Sequence, residues 1–313
     1  MTLDALRPGS GRSAKRALAA ALAAMEQDPE SEASQALLDA AWREPKAHVV
    51  GVTGPPGVGK SSLCAALVTS WRRAGWTVGV IAVDPSSRAS GGALLGDRVR
   101  IVHDSADGGS FVRSMAARDR LGGLADQTLA AMVVMRALFD RVLIETVGVG
   151  QSETDVAGVA DTVVFCVQPG SGDSLQFMKA GIVEIPHLIV VTKADLGQAA
   201  ERARADVAGA LSLATADRGW PVRTLAVSSR SGSGMEALMA ALEAHREHLA
   251  AEGRLAVLRH RQSESWVVES LRERFGREGI ARLGRRGFEL ALAPGEQPFK
   301  RIRELGVALA RTP

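Results

Sequence analysis

Apolar positions in this chain fall into two alternating periods. The stretches "HVVGVT" (48–53), "TVGVIAVD" (77–84), "DRVLIET" (140–146), "DTVVFCVQ" (161–168), "HLIVVTK" (187–193) and "VRTLAVS" (222–228) are short, nearly unbroken β-branched runs. A run without polar alternation suits a strand buried on both faces. Between the runs, "SSLCAALVTSWRRA" (61–74) and "DQTLAAMVVMRALF" (126–139) carry helical spacing, while the region between "TVGVIAVD" and the second of these reads as loop-rich. Strands alternating with helices predict an α/β fold whose mostly parallel sheet is sandwiched by helices. Ahead of it, Leu18, Leu22 and Met25 share one helical face, "DPE" interrupts, and "SQALLDAAW" resumes. Beyond Gly234 the chain turns helical, with Leu238 and Leu242, then Leu255, Leu258, Trp266, Leu271 and Phe275 at helical spacing. The expected parts are an N-terminal helical extension (1–45), a central domain (46–252) and a C-terminal helical region (253–313).

Composition adds mainly exclusions. At 313 residues and 46% hydrophobic content the chain can bury a large core. Its net charge is only +3, from 38 basic and 35 acidic residues, which argues against a nucleic-acid surface. The most basic stretch, "GREGIARLGRR" (276–286), lacks interleaved aromatics and reads as a solvated helix face. No run is long and apolar enough for a membrane span, and the N-terminus has no compact apolar core with a cleavage site, so a cytoplasmic location is expected. Cys64 and Cys166 stand far apart in the sequence and read as buried thiols. His245 and His248 lie one turn apart with no third metal ligand nearby.

The chemistry sits where the strands end, as expected of parallel sheets. "GPPGVGKS" (54–61) follows the first strand and opens the first helix of the sheet. Gly54, Gly57 and Gly59 let backbone N–H groups crowd round phosphates, Lys60 reaches the β and γ oxygens, and Ser61 offers a hydroxyl to Mg²⁺. Val58 and Ser62 complete the nucleotide-binding loop. "TKAD" (192–195) ends another strand, and the acceptor-only carboxylate of Asp195 matches the two adjacent donors of guanine. A buried acceptor left unpaired is heavily penalised, so this carboxylate discriminates against adenine. Lys193 can lay its stem along the base plane. Thr192 stands where related tetrapeptides carry Asn and forgoes an amide tether. Ser228 and Ser229 in "VSSRSGSG" either offer hydroxyls and N–H groups to the base or form a simple turn.

"VLIETVG" places Glu145 near a metal and the N–H of Gly148 near a γ-phosphate. With Ser61 as direct ligand, Asp84, Asp97 and Glu145 act on Mg²⁺ partly through water. Asp84 in "DPSS" and Asp97 in "LLGDRV" have capping or turn roles as alternatives. Gln151 either orients water or is a plain hydrogen-bonding residue. The implied reaction is hydrolysis of GTP to GDP and phosphate, assisted by metal and lysine.

"GVTGPPGVGKSS", "AVDPSS", "SGGALLGDRVR", "LGGLA", "ETVGVGQSE", "PGSGDSLQ" and "TKAD", in that order, resemble the MeaB/ArgK-type P-loop GTPases that chaperone adenosylcobalamin-dependent acyl-CoA mutases such as methylmalonyl-CoA mutase. The resemblance implies a SIMIBI-type G domain and a homodimer built through the helical C-terminal region. It also implies slow hydrolysis that the mutase stimulates, and it makes Asp84, Asp97 and Glu145 the metal-linked acids. Lys179 in "GDSLQFMKAGI" matches a switch lysine implicated in catalysis; by its own chemistry it also suits a solvated helix. Ser174 and Phe177 replace an acid and a small residue of the family pattern, and Asp119 lies where relatives carry a glycine before "LGG". These departures fall in segments expected to face the partner.

Other classes can use a phosphate loop of this kind. A nickel-insertion GTPase shares the sheet and the loop but usually carries clustered His or Cys ligands, which this sequence lacks. A kinase would transfer the γ-phosphate to an acceptor other than water. A nucleotide-gated scaffold would hydrolyse only incidentally.

Overall fold

The computed structural model describes residues 2–9, 12–85, 107–117, 126–146, 148, 155–170, 184–212 and 219–310. They form two compact units, Met1–Glu247 and His248–Pro313.

The first unit is built on seven parallel strands: β1 (His48–Thr53), β2 (Val78–Pro85), β3 (Ser110–Ala117), β4 (Arg141–Glu145), β5 (Thr162–Val167), β6 (Leu188–Val191) and β7 (Arg223–Ala226). Their order is β3-β2-β4-β1-β5-β6-β7. Every residue of β1, β4, β5 and β6 is buried, as their unbroken apolar runs require. Six strands fall where the pattern places them, and β3 does not. It pairs along β2 from Val78↔Ser110 to Pro85↔Ala117 inside the stretch expected to be loop-rich. Its sequence "SFVRSMAA" mixes polar residues into the run because it is an edge strand, half-buried at Phe111 to Ser114.

Helices α1 (Arg12–Gln27) and α2 (Glu32–Arg43) precede the sheet, and α3 (Lys60–Arg73), α4 (Asp126–Leu138), α5 (Gln198–Ser212) and α6 (Met235–Ala250) follow strands. α1 buries Leu18, Leu22 and Met25, the face read from the sequence. α3 and α6 cover one side of the sheet, where Leu63, Leu67, Trp71, Leu238 and Leu242 join Val50, Val52, Val80 and Val190 in one core. α5 adds Ala200, Ala203 and Val207 against Phe165, Ile189 and Val191. Burial of such side chains stabilises by roughly 25 cal/mol per Å² removed from water.

The second unit holds α7 (Arg254–Arg285) and α8 (Pro298–Ala310) around Val267, Leu271, Leu283, Ile302 and Leu305. Gly276 interrupts α7 with φ 67° and ψ −175°. The basic stretch 276–286 lies in the later part of α7 and just after it; apart from Gly279 and Leu283 it is largely exposed, in line with a solvated face. Among the described residues no helix is long and apolar enough to cross a membrane.

Candidate functional site

β1 ends at Thr53, whose hydroxyl accepts from Thr146 at 2.8 Å, so the ends of β1 and β4 are tied side by side. The chain then turns at Gly54 with φ 137°, and a Cβ there would lie 2.3 Å from the carbonyl oxygen of Cys166 on β5. Only glycine passes that contact in that conformation. Val58 is buried and pins the loop to the core. Lys60, the first residue of α3, is also buried, and its Nζ donates to the carbonyls of Gly54 at 2.7 Å and Pro55 at 3.0 Å. The ammonium is thereby held over the loop whose N–H groups begin the helix, a ready anion site.

Glu145 closes β4, and its Oε1 accepts from the Ser61 hydroxyl at 2.6 Å. A hydroxyl and a carboxylate at this separation beside the phosphate loop are the hard oxygen donors that Mg²⁺ takes, so the residues present fit the ion. Gly148 packs on the loop from above. With φ 77°, a Cβ there would lie 1.9 Å from the Gly54 oxygen and 2.6 Å from Lys60 Nζ. No side chain fits between that backbone and the lysine.

The neighbouring loop is built from β6 and β7. Thr192 follows β6, and its N–H donates to Val167 O at 2.8 Å. Its hydroxyl donates to Val58 O at 2.7 Å and approaches Val167 O at 3.0 Å. Thr192 has no amide to offer, and its hydroxyl bonds the phosphate loop itself. Lys193 adopts a left-handed conformation, φ 56°, uncommon for a residue with a side chain, and its Nζ donates to Gln168 Oε1.

Asp195 is exposed, so the carboxylate is not a buried acceptor as it stands; burial would come with a base laid against it. Its Oδ1 accepts from the Ser228 hydroxyl at 2.6 Å, which holds its carboxyl below the usual carboxylate range, with Arg230 and Lys193 adding to the effect. Ser228 is buried, and its hydroxyl is directed at Asp195, where the sequence suggested the base. Ser229 is half-buried beside it. Ser62 is exposed on the first turn of α3.

Asp84 lies at the end of β2, paired with Ala116, but its side chain, and the whole of Asp97, Gln151 and Lys179, lie outside the described residues, as do Asp119, Ser174 and Phe177. Gln168 was missed by sequence reasoning. Its only signal is its place directly before "PGSGD". Cys64 and Cys166 are both buried in the core beneath the phosphate loop, closer in the fold than their separation in sequence suggested. Burial pushes the Cys166 thiol up to about 12 and raises that of Cys64 as well, Glu145 and Cys166 adding to the second. Among the described residues no three His, Cys, Asp or Glu are grouped to hold a metal ion.

The sequence model of the family described as "Methylmalonyl Co-A mutase-associated GTPase MeaB" matches residues 17–281. The chain belongs to this family. A Pyrococcus horikoshii protein named for GTPase activity is 41% identical over 257 residues, 81% of this chain and 80% of its own. The mouse mitochondrial methylmalonic aciduria type A homolog is 36% identical over 265 residues, 80% of this chain and 64% of that protein. A solved structure titled LAO/AO transport system kinase superposes with a TM-score of 0.68 at 26% identity, covering 98% of this chain and 96% of its own. The MeaB match includes the phosphate loop, Glu145, Gly148 and the Asp195 loop. The fold is thus that of a P-loop GTPase.

Proposed function

We propose that this MeaB-family chain binds GTP with Mg²⁺, hydrolyses it slowly to GDP and phosphate, and serves as the chaperone of an adenosylcobalamin-dependent acyl-CoA mutase. The observation that carries the nucleotide chemistry is the joining of three strand ends at one point. Lys60 lies over the Gly54 loop, Ser61 is bonded to Glu145, and Thr192 ties that loop to the strand leading to Asp195.

In this reading the loop N–H groups of residues 57–62 and the Lys60 ammonium take the β- and γ-phosphates. On binding, Lys60 exchanges the Gly54 and Pro55 carbonyls for phosphate oxygens, its charge already in place. Gly148 presents its N–H to the γ-phosphate, and Ser61 with Glu145 holds Mg²⁺, with Asp84 and Asp97 assigned to its water shell. When bound, the ion neutralises charge shared between the β- and γ-phosphates. Asp195 accepts from guanine while Lys193 covers its plane. Gln151 is assigned to water orientation by its chemistry, and Lys179 to switching on the family pattern. The functional parts are taken as 1–45, 46–252 and 253–313, the last as the homodimer contact.

The partner assignment rests on the family, whose description names a methylmalonyl-CoA mutase association. GTP turnover should accelerate when a cobalamin-dependent acyl-CoA mutase from the same source is added. No acceleration with any such mutase would remove the partner claim while leaving the nucleotide chemistry standing. Transfer of the γ-phosphate to protein, rather than its release, would overturn hydrolysis.

A further inference from the structure

The base loop is held from two sides: Ala194 and Asp195 bond the segment after β7, and Thr192 bonds the end of β5 and the phosphate loop. Thr192 spends its backbone N–H on Val167 O at 2.8 Å. Its hydroxyl carries a single proton, 2.7 Å from Val58 O and 3.0 Å from Val167 O. The shorter contact goes to the phosphate loop, and Val167 O already receives the N–H, so Val58 is the principal acceptor. The two loops lie side by side there, since a Cβ placed at Gly59 would stand 3.9 Å from that of Thr192. One residue further on, Lys193 is held in a left-handed conformation while its ammonium is bonded to Gln168, the residue after Val167. Such a backbone conformation persists only where its surroundings enforce it. Here the backbone bonds on either side enforce it, Thr192 N–H to Val167 O at the end of β5 and Ala194 N–H to Val227 O at 3.1 Å, while Gln168, the residue after β5, holds only the far end of the side chain.

We propose that the end of β5, through Val167 and Gln168, anchors the base-recognition loop over the phosphate loop, with Thr192 and Gln168 as the positioning residues that set guanine specificity. This rests on the reading of GTP as the nucleotide. Neither residue touches the base in this scheme. Gln168 fixes the far end of Lys193 so that its stem forms a shelf, and Thr192 fixes the distance from the phosphates to the Asp195 carboxylate. The carboxylate then meets both guanine donors only when the phosphates are seated. Hydrogen bonds weaken steeply with misalignment, so a small slip of this loop costs discrimination before it costs folding.

The test is the ratio of GTP to ITP affinity, since inosine lacks the 2-amino donor of guanine. The wild-type chain should prefer GTP by about tenfold or more. Thr192→Val, of nearly equal volume, should weaken GDP binding by about tenfold and lower the GTP:ITP ratio by about threefold or more. Gln168→Leu should lower the ratio about threefold with a smaller loss of affinity. Thr192→Ser, which keeps the hydroxyl, should restore the wild-type ratio. Because both substitutions release the same loop, the double variant should lose less than the product of the single losses.

A wild-type ratio well above one that both variants retain within twofold overturns this inference and leaves the guanine reading intact. So does a ratio lost in Thr192→Val that Thr192→Ser fails to restore, which would make Thr192 merely structural. A wild-type ratio near one overturns the guanine reading, and this inference with it.

Discussion

The two rims of the one parallel sheet solve opposite problems. At the rim where strands begin, polar side chains are buried and bonded to each other. The Thr162 hydroxyl lies 2.7 Å from both His48 Nε2 and His245 Nδ1, and Asp161 accepts the Val49 N–H at 2.8 Å. His187 accepts the Val163 N–H at 2.9 Å, and Trp220 stands edge-on to His245 with ring centroids 4.6 Å apart. At the rim where strands end, groups are held open for a ligand. Gly54, Gly148 and Lys193 take positive φ, and the Asp195 carboxylate and Lys193 are exposed. A buried polar network that satisfies itself contributes to stability. Lys60, Lys193 and Asp195 are instead held by local hydrogen bonds that a phosphate or a base can replace. The contrast teaches that side-chain chemistry alone does not locate the site here. The first rim is richer in histidine, yet the exposed charges of Lys193 and Asp195 lie at the second.

The largest effect should come from Lys60→Ala. Its Nζ is the charge placed over the loop, and removing a preorganised group of this kind lowers turnover by roughly 10²- to 10³-fold. Single-turnover GTP hydrolysis measures this. The thermal midpoint should move much less than the activity. A large loss of stability with activity per folded molecule preserved would break the comparison.

Thr162→Val probes the other rim and should do the reverse. It deletes the hydroxyl that two buried imidazoles share, at a cost of about 2 kcal/mol in unfolding free energy. Denaturant unfolding measures that cost. GTP affinity of the folded protein should stay within about twofold of wild type, because the site lies at the opposite end of the strands. A variant of normal stability with weakened nucleotide binding would show that the rims are coupled.

Much of the strand-end rim was legible because its chemistry is written in contiguous residues. "GPPGVGKS", "ETVG" and "TKAD" each place several functional atoms within one loop, and parallel topology does the rest. The strand-start rim was illegible for the converse reason. His48, Asp161, Thr162, His187 and His245 are scattered through the sequence, and only the sheet order β1-β5-β6 with α6 above it brings them together. β3 was missed because an edge strand need not be apolar on both faces. The Thr192 tether escaped notice because its acceptor is a backbone carbonyl, Val58 O, which no residue type advertises. The bond from Ser228 to Asp195 was not legible because sequence shows that a hydroxyl is present and not which way it points.

A smaller prediction concerns an ion pair that belongs to neither rim's network. Arg72, near the end of α3, forms a two-pronged bond with Asp107, at 2.8 and 2.7 Å, just ahead of β3. The guanidinium holds the Asp107 carboxyl well below the usual carboxylate range, against the opposing effect of partial burial. A depressed folded-state value means that the pair contributes stability in full above the unfolded value of about 3.9 and loses it as pH falls below that. Because the pair is partly exposed and screened, its contribution should be about 1 kcal/mol. Asp107→Asn should therefore unfold at lower denaturant than wild type by a constant margin above about pH 5, and the margin should shrink as pH falls below 4. GTP affinity at neutral pH should change little, since α3 presents Lys60 and Ser61 from its opposite end. A margin that stays constant down to pH 3 would mean that Asp107 acts through its hydrogen bonds, to the Gly109 N–H among others, and not through its charge.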